Sequence, residues 1–233
     1  MKGLVFHNAG ITSATGYAAK ALKASGFTFT SHPANATHII VDTPYNENII
    51  SDEVPGNATV IGGNLPPIPH PTIDLLKDPL YLAENANITA HCAVRLALEQ
   101  LPVVLSDCRV LVVGWGRIGK CLASLLRQIG ATVYVAARKS SDRAMLTALG
   151  YHAKDIYNIP HQDIRIVFNT VPAPILNADD FSSDCLKIEL ASTPGIIGEN
   201  VIDGRRLPGR YAPESSGALI ARSILRLLPE VII

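Results

Sequence analysis

The residues best suited to do chemistry lie in Arg109–Gly119, RVLVVGWGRIG, where an apolar run meets Gly114, Trp115, Gly116, Arg117, Ile118 and Gly119 in a G-x-G-x-x-G spacing. Each glycine answers a separate need of a bound pyrophosphate. Gly114 lets the chain turn sharply out of a buried strand, Gly116 lets backbone approach the phosphates, and Gly119 lets the following helix pack closely on the sheet. The free N–H groups of that helix then point at the anion. A second group, Ala137, Arg138, Lys139 and Ser140, stands at the end of the next apolar run. An NAD site would place an acid there for the ribose hydroxyls, whereas Arg138 offers a planar fork for a 2′-phosphate. The expected cofactor is therefore NADP, with NAD second; a solvated Arg–Lys pair with Asp142 close by is the competing reading. A third group, Asn169, Thr170, Val171 and Pro172, ends a later apolar run, where parallel strands present loops to ligands. No residue stands out as a catalytic acid or base. Cys92, Cys108, Cys121 and Cys185 show neither a C-x-x-C pair nor a histidine at metal spacing, so buried free thiols and no metal are expected.

The periodicity around these groups predicts the elements that hold them. Val110–Val113 reads as a strand buried on both faces of a parallel sheet. Ile118, Leu122, Leu125, Leu126 and Ile129 recur at helical spacing until Gly130, and Thr132–Ala137 is the next strand. Together they make one βαβ unit. Ser140–Leu149 reads as a helix, Ile164–Val171 and Leu186–Leu190 as strands, and Ala218–Leu228 as a last helix capped by Ser215 or Ser216. The fold class is thus α/β, with a doubly wound parallel-sheet Rossmann domain over 105–233. Upstream, Leu4–Phe6, Phe27–Thr30, His38–Val41 and Thr59–Ile61 read as strands and Ala14–Lys23 as a helix, giving a smaller N-terminal α/β domain over 1–78. Leu65–Pro71, with four prolines, reads as the interdomain linker. A connecting helix follows within 79–104, where Thr89 can cap a turn.

Twenty basic and twenty acidic residues balance in a chain of 233, so nothing in the charge marks nucleic acid or an anionic membrane as a partner. No apolar run approaches the roughly 18 residues of a membrane span, and MKGLVFHNAG lacks the apolar core of a signal peptide. A cytoplasmic homo-oligomer acting on a small molecule is expected.

One family carries these features in the same order. NANITAHCA (Asn85–Ala93), VLVVGWGRIGKCLA (Val110–Ala123), VYVAARK (Val133–Lys139), IVFNTVPAPIL (Ile166–Leu176), IELASTPG (Ile188–Gly195) and LPGRYAPESSG (Leu207–Gly217) together resemble the dipicolinate synthase A-subunit family, sporulation oxidoreductases of spore-forming bacteria. The resemblance covers about Asn85 to Leu228; the region before Leu80 is shorter than the family's first domain and gives no match. It implies NADP-linked dehydrogenation of dihydrodipicolinate to the aromatic pyridine dicarboxylate, a flavoprotein-like second subunit, and donors for a small dicarboxylate substrate. The matching candidates are Thr89, Ser192, Thr193, Arg210, Pro213, Ser215 and Ser216. For each hydroxyl, helix capping or turn chemistry is the competing role. The chain departs from the family pattern at His91 and Cys92, where an acid and a glycine are usual, at Glu189 for an aspartate, at Ile196 for a second glycine, and at Glu214 for a lysine.

Two other readings compete. A D-2-hydroxyacid dehydrogenase would need a catalytic histidine late in the chain and an arginine after Leu186–Leu190; the last histidine is His161 and that slot reads Ala191-Ser192-Thr193. A non-catalytic NAD(P)-binding regulatory module would keep the glycine loop and lose the chemistry.

Overall fold

The computed structural model describes residues 3–46, 50–159 and 163–228. The chain divides into two compact units, Met1–Ile88 with Pro208–Ile233, and Thr89–Leu207. His161 lies outside the described residues.

The N-terminal unit starts with β1 (Val5–Asn8), α1 (Ser13–Ala24), β2 (Thr28–Phe29), β3 (His38–Ile40), β4 (Thr59–Gly62) and β5 (Thr72–Asp74), and then enters α2 (Pro79–Gln100), which carries the chain into the second unit. Its five strands are all parallel, in the order β2-β1-β3-β4-β5. That is the flavodoxin-like order, with its switch point between β1 and β3. Strand alternation sends Ile40 and Ile61 to one face of the sheet and Ile39 and Val60 to the other, into separate apolar clusters. The proline tract Leu65–Pro71 therefore joins β4 to β5 within one sheet and is not the interdomain linker that its composition suggests. Prolines that exclude helix serve a loop inside a domain as well as one between domains.

The central unit contains β6 (Arg109–Val113), α3 (Arg117–Gln128), β7 (Thr132–Ala137), α4 (Ser140–Ala148), β8 (His152–Asp155), β9 (Ile166–Asn169), β10 (Leu176–Asn177), β11 (Leu186–Glu189), β12 (Ile196–Ile197) and β13 (Val201–Asp203). Six parallel strands run β13-β11-β9-β6-β7-β8. This is the Rossmann order, and it reverses between β6 and β9. Val110–Val113 and Ile166–Asn169 are buried, as expected of central parallel strands. Helix α3 buries Gly119, Leu122, Ala123 and Leu126, and Gly130 ends it at φ +96°.

The chain then returns to the N-terminal unit through α5 (Leu207–Tyr211) and α6 (Pro213–Leu227). Leu219, Ile220, Ile224 and Leu228 join Phe6, Ala18 and Leu22 in one core. Each of the leucine, isoleucine and phenylalanine side chains contributes roughly 1.5–3 kcal/mol on burial. A Cβ at Gly217 would lie 2.6 Å from the Ala14 carbonyl oxygen and 2.4 Å from Tyr17 Cβ, so α6 crosses α1 at close range. Assignment of 105–233 to one Rossmann domain is thus corrected at its end: residues from Pro208 on belong to the N-terminal unit. The expected cap is corrected too. Helix α6 starts at Pro213 behind Ala212, with Ser215 and Ser216 already inside its first turns and no side-chain cap. Proline suits the first helical position because its φ is preset and its missing N–H is not needed there. Thr89 lies midway along α2 and not at a helix start. Cys92, Cys108 and Cys185 are buried, Cys121 partly so, and burial pushes the Cys185 thiol up to about 11. Among the described residues no helix is long and apolar enough to cross a membrane.

Candidate dinucleotide site

The register Val113↔Asn169 sets the glycine turn after β6 beside Thr170, at the switch point of the Rossmann sheet. Thr170 donates both its N–H, at 2.9 Å, and its hydroxyl, at 2.8 Å, to the Val113 carbonyl. The three glycines then differ as their separate roles require. Gly114 has φ +105°, and a Cβ there would lie 2.4 Å from Thr170 Oγ1. A Cβ on Gly119 would lie 2.2 Å from the Gly114 carbonyl oxygen, so α3 rests directly on the turn. Among the described residues Gly116 meets nothing within 4 Å, and it has φ −81°, a conformation open to any residue. Its missing side chain leaves room for something outside the protein. Helix α3 begins at Gly116 with no side-chain cap and no acid in its first turn, so its first N–H groups are available to an anion. These features fit a dinucleotide pyrophosphate.

Other predicted residues take more varied places. The Trp115 indole packs edge-on against Tyr151, centroids 5.7 Å apart, with Lys120 Nζ 5.7 Å from its ring. Its side chain is therefore engaged with the protein. Arg117 is exposed and Ile118 half-buried at the start of α3. At the end of β7, Ala137 is buried while Arg138, Lys139 and Ser140 are exposed. Arg143, which the sequence reading missed, explains the shape of that turn. Its Nη1 donates to the carbonyls of Ala137, at 3.0 Å, and Arg138, at 2.7 Å, and its Nη2 meets Asp155 Oδ2 at 3.0 Å. Arg143 is thereby committed, and the cations presented to solvent are Arg138 and Lys139. Neither residue type nor spacing singles out this arginine among its neighbours.

Asn169 is fully buried, and its amide is spent inside the protein. Its Oδ1 accepts from Val171 N–H at 3.1 Å, and its Nδ2 donates to the Val171 carbonyl at 2.9 Å and to both oxygens of Glu189 at 2.9 and 3.0 Å. The side chain thus shapes the end of β9, the segment expected beside the cofactor. Val171 and Pro172 follow in the same turn, half-buried and exposed respectively.

The substrate candidates fall in two sets. Thr89, Ser192 and Thr193 belong to the central unit; Arg210, Pro213, Ser215 and Ser216 belong to the N-terminal unit. Ser192 and Thr193 are exposed on the loop between β11 and β12, whereas Thr89 is buried in α2. The Arg210 guanidinium sits 4.9 Å from the Tyr211 ring centroid. At the start of α6, Glu214 and Ser215 are exposed, and Ser216 Oγ is buried with no hydrogen-bond partner among the described residues. Of the departures, His91 is exposed and Cys92 buried on α2, while Glu189 and Ile196 meet directly, the carboxylate accepting the Ile196 N–H at 3.0 Å.

No family model matches the chain. A curated relative, the dipicolinate synthase A-subunit of Bacillus subtilis, is 31% identical over 161 residues, which cover 63% of this chain and 54% of the relative. The chain thus spans about half the length of the curated relative it matches. Among solved structures, the dipicolinate synthase A-subunit from Bacillus halodurans superposes with a TM-score of 0.80 at 20% identity, covering 97% of this chain and 98% of that one. The corresponding structure from Bacillus subtilis gives 0.80 at 21%, covering 99% and 97%. The likeness in fold includes the residues before Leu80, where the sequence alone gives no match. In sequence over its larger part, and in fold over nearly all of it, this chain is similar to the A-subunit of dipicolinate synthase.

Proposed function

We propose that the chain is an NADP-dependent oxidoreductase that dehydrogenates a small cyclic dicarboxylate of the dihydrodipicolinate type. The observation that carries the reading is the open glycine turn at the Rossmann switch point, followed by a second strand that ends in exposed Arg138 and Lys139 with no acid. Free helix N–H groups hold the pyrophosphate, and Arg138 forks the 2′-phosphate that a carboxylate would repel. When bound, a nicotinamide would supply the hydride acceptor: the substrate ring would lose a hydride to it and a proton to solvent, two electrons in all, and become aromatic. What remains for the protein is to hold a dianion in the reacting orientation, which takes donors rather than a strong base. Ser192 and Thr193, exposed on the loop after β11, supply hydroxyl donors. The curated relative is by name one component of a synthase with more than one, which supports a requirement for a partner protein.

Two measurements test the proposal. Titrating both nucleotides into Arg138→Ala should weaken NADP binding about ten- to a hundredfold, the worth of hydrogen bonds to a charged group, and leave NAD binding nearly unchanged. Equal losses, or a native preference for NAD, would reject the choice of cofactor. Supplying the cyclic product of dihydrodipicolinate synthase, with the partner protein, should then produce NADPH. Nucleotide binding with no turnover would favour the regulatory module.

A further inference from the structure

Glu189 ends β11 as a buried carboxylate, 3% exposed. A buried charge is costly unless hydrogen bonds replace its water, and here N–H donors surround it. Oε1 accepts from Asn169 Nδ2 and from Ala191 N–H, both at 2.9 Å. Oε2 accepts from Asn169 Nδ2 at 3.0 Å, Gly195 N–H at 2.7 Å and Ile196 N–H at 3.0 Å. With both oxygens occupied and almost no exposure, the group is no candidate for proton transfer to a ligand.

Its partners belong to the two segments that leave adjacent strands on the ligand side of the Rossmann sheet. One is the turn after β9, whose Val171 is held by Asn169 and whose Cγ2 lies 2.9 Å from where a Cβ of Gly114 would be. The other is the loop from Ala191 to Ile196, which carries Ser192 and Thr193. The segments lock further at Gly195, where a Cβ would lie 2.4 Å from Asn169 Nδ2 and 2.5 Å from the Ala173 carbonyl oxygen. The Gly195 carbonyl in turn accepts from Ile175 and Leu176 N–H, both at 3.1 Å, just before β10 pairs with β12.

We infer that Glu189 is the positioning residue of this ligand face: its carboxylate fixes the Ala191–Ile196 loop and, through Asn169, ties it to the turn that flanks the glycine loop. The inference rests on the proposed function only in calling this loop ligand-facing; the placement itself depends on the charge of one buried acid. Charge-assisted hydrogen bonds are the stronger kind, and removing the charge leaves the amides without an acceptor of equal strength.

The test reads amide hydrogen exchange residue by residue and nucleotide affinity through the fluorescence of Trp115, the single tryptophan of the chain. In Glu189→Gln a carboxamide replaces the carboxylate and turns donors toward donors. Exchange at Gly195 and Ile196 should rise about tenfold or more. Exchange in β6 and α3 should not change, and nucleotide affinity should stay within about threefold. Asn169→Ser removes the amide but keeps the backbone donors on Glu189. There, exchange should rise at Val171 while Gly195 and Ile196 remain protected. Unchanged protection at Gly195 and Ile196 in Glu189→Gln would overturn the inference, as would a uniform rise across the central sheet. If Glu189→Gln does not fold, Asn169→Ser decides: Gly195 and Ile196 exchanging as fast as Val171 would make Asn169 the positioning group and sink the proposal. No turnover is measured, so loss of the oxidoreductase reading and loss of this one are separate outcomes.

Discussion

Both units place a twelve-residue helix after their first strand, α1 after β1 and α3 after β6, and both have a switch point beside it. The two turns are finished in opposite ways. In the N-terminal unit, Thr12 caps α1 and the buried Asp42 accepts from Ile11 N–H, Thr12 N–H, Thr12 Oγ1 and Thr15 Oγ1. In the central unit, Gly116 leaves the start of α3 uncapped and free of acid. A phosphate about 4 Å from a carboxylate meets a repulsion of roughly 4 kcal/mol at an effective dielectric of 20, whereas free helix N–H groups attract it. A doubly wound sheet offers a crevice at its switch point, but the residues at the turn decide whether an anion can enter.

The largest expected effect breaks the open turn from within. Gly119→Ala puts a methyl 2.2 Å from the Gly114 carbonyl oxygen and should destabilise the protein by about 3 kcal/mol, seen in urea denaturation. A variant as stable as the parent would show that α3 does not rest on the turn. Next, Gly116→Val leaves the fold intact, because the space is empty and the backbone ordinary, yet should lower nucleotide affinity by about 2.7 kcal/mol, a hundredfold. Trp115 fluorescence would follow it; undiminished binding would move the site elsewhere.

Breaking the closed turn should cost stability without touching nucleotide binding. Asp42→Ala removes the acceptor of four hydrogen bonds and should cost about 1–3 kcal/mol in urea denaturation. A loss of nucleotide affinity in this variant would contradict the assignment of the site to the central unit. The smallest effect belongs to an acid of the central unit that caps no helix. Arg205 hydrogen bonds hold the Asp203 carboxyl down to about 2. A depressed carboxyl stabilises the fold above its ordinary value of 3.8, and that contribution is lost as pH falls through about 2. Because the pair is largely exposed, screening limits it to about 1 kcal/mol or less. Acid titration of stability in Asp203→Asn should thus run within that margin of the parent above pH 4 and merge with it below about pH 2.

The local sequence determined the glycine turn, its flanking strands and the long helix α2, because each of these is written in consecutive residues: an apolar run, three spaced glycines, a helical period. Strands such as β8 and β13 escaped that reading. His152–Asp155 lies at the sheet edge and none of its residues is buried, so it shows no apolar run. Tertiary structure alone decided which sheet receives a helix. Helix α6 has an apolar face that could cover either unit, and its place follows from Leu219, Ile220 and Ile224 meeting Phe6, Ala18 and Leu22 some two hundred residues earlier, with Gly217 allowing the close crossing. Tertiary structure also decided what Asn169 and Glu189 do. They stand 20 positions apart, and only the pairing of β9 with β11 brings the amide to the carboxylate. Periodicity encodes how a segment folds; contacts between distant segments depend on complementary shape and charge, which no local pattern carries.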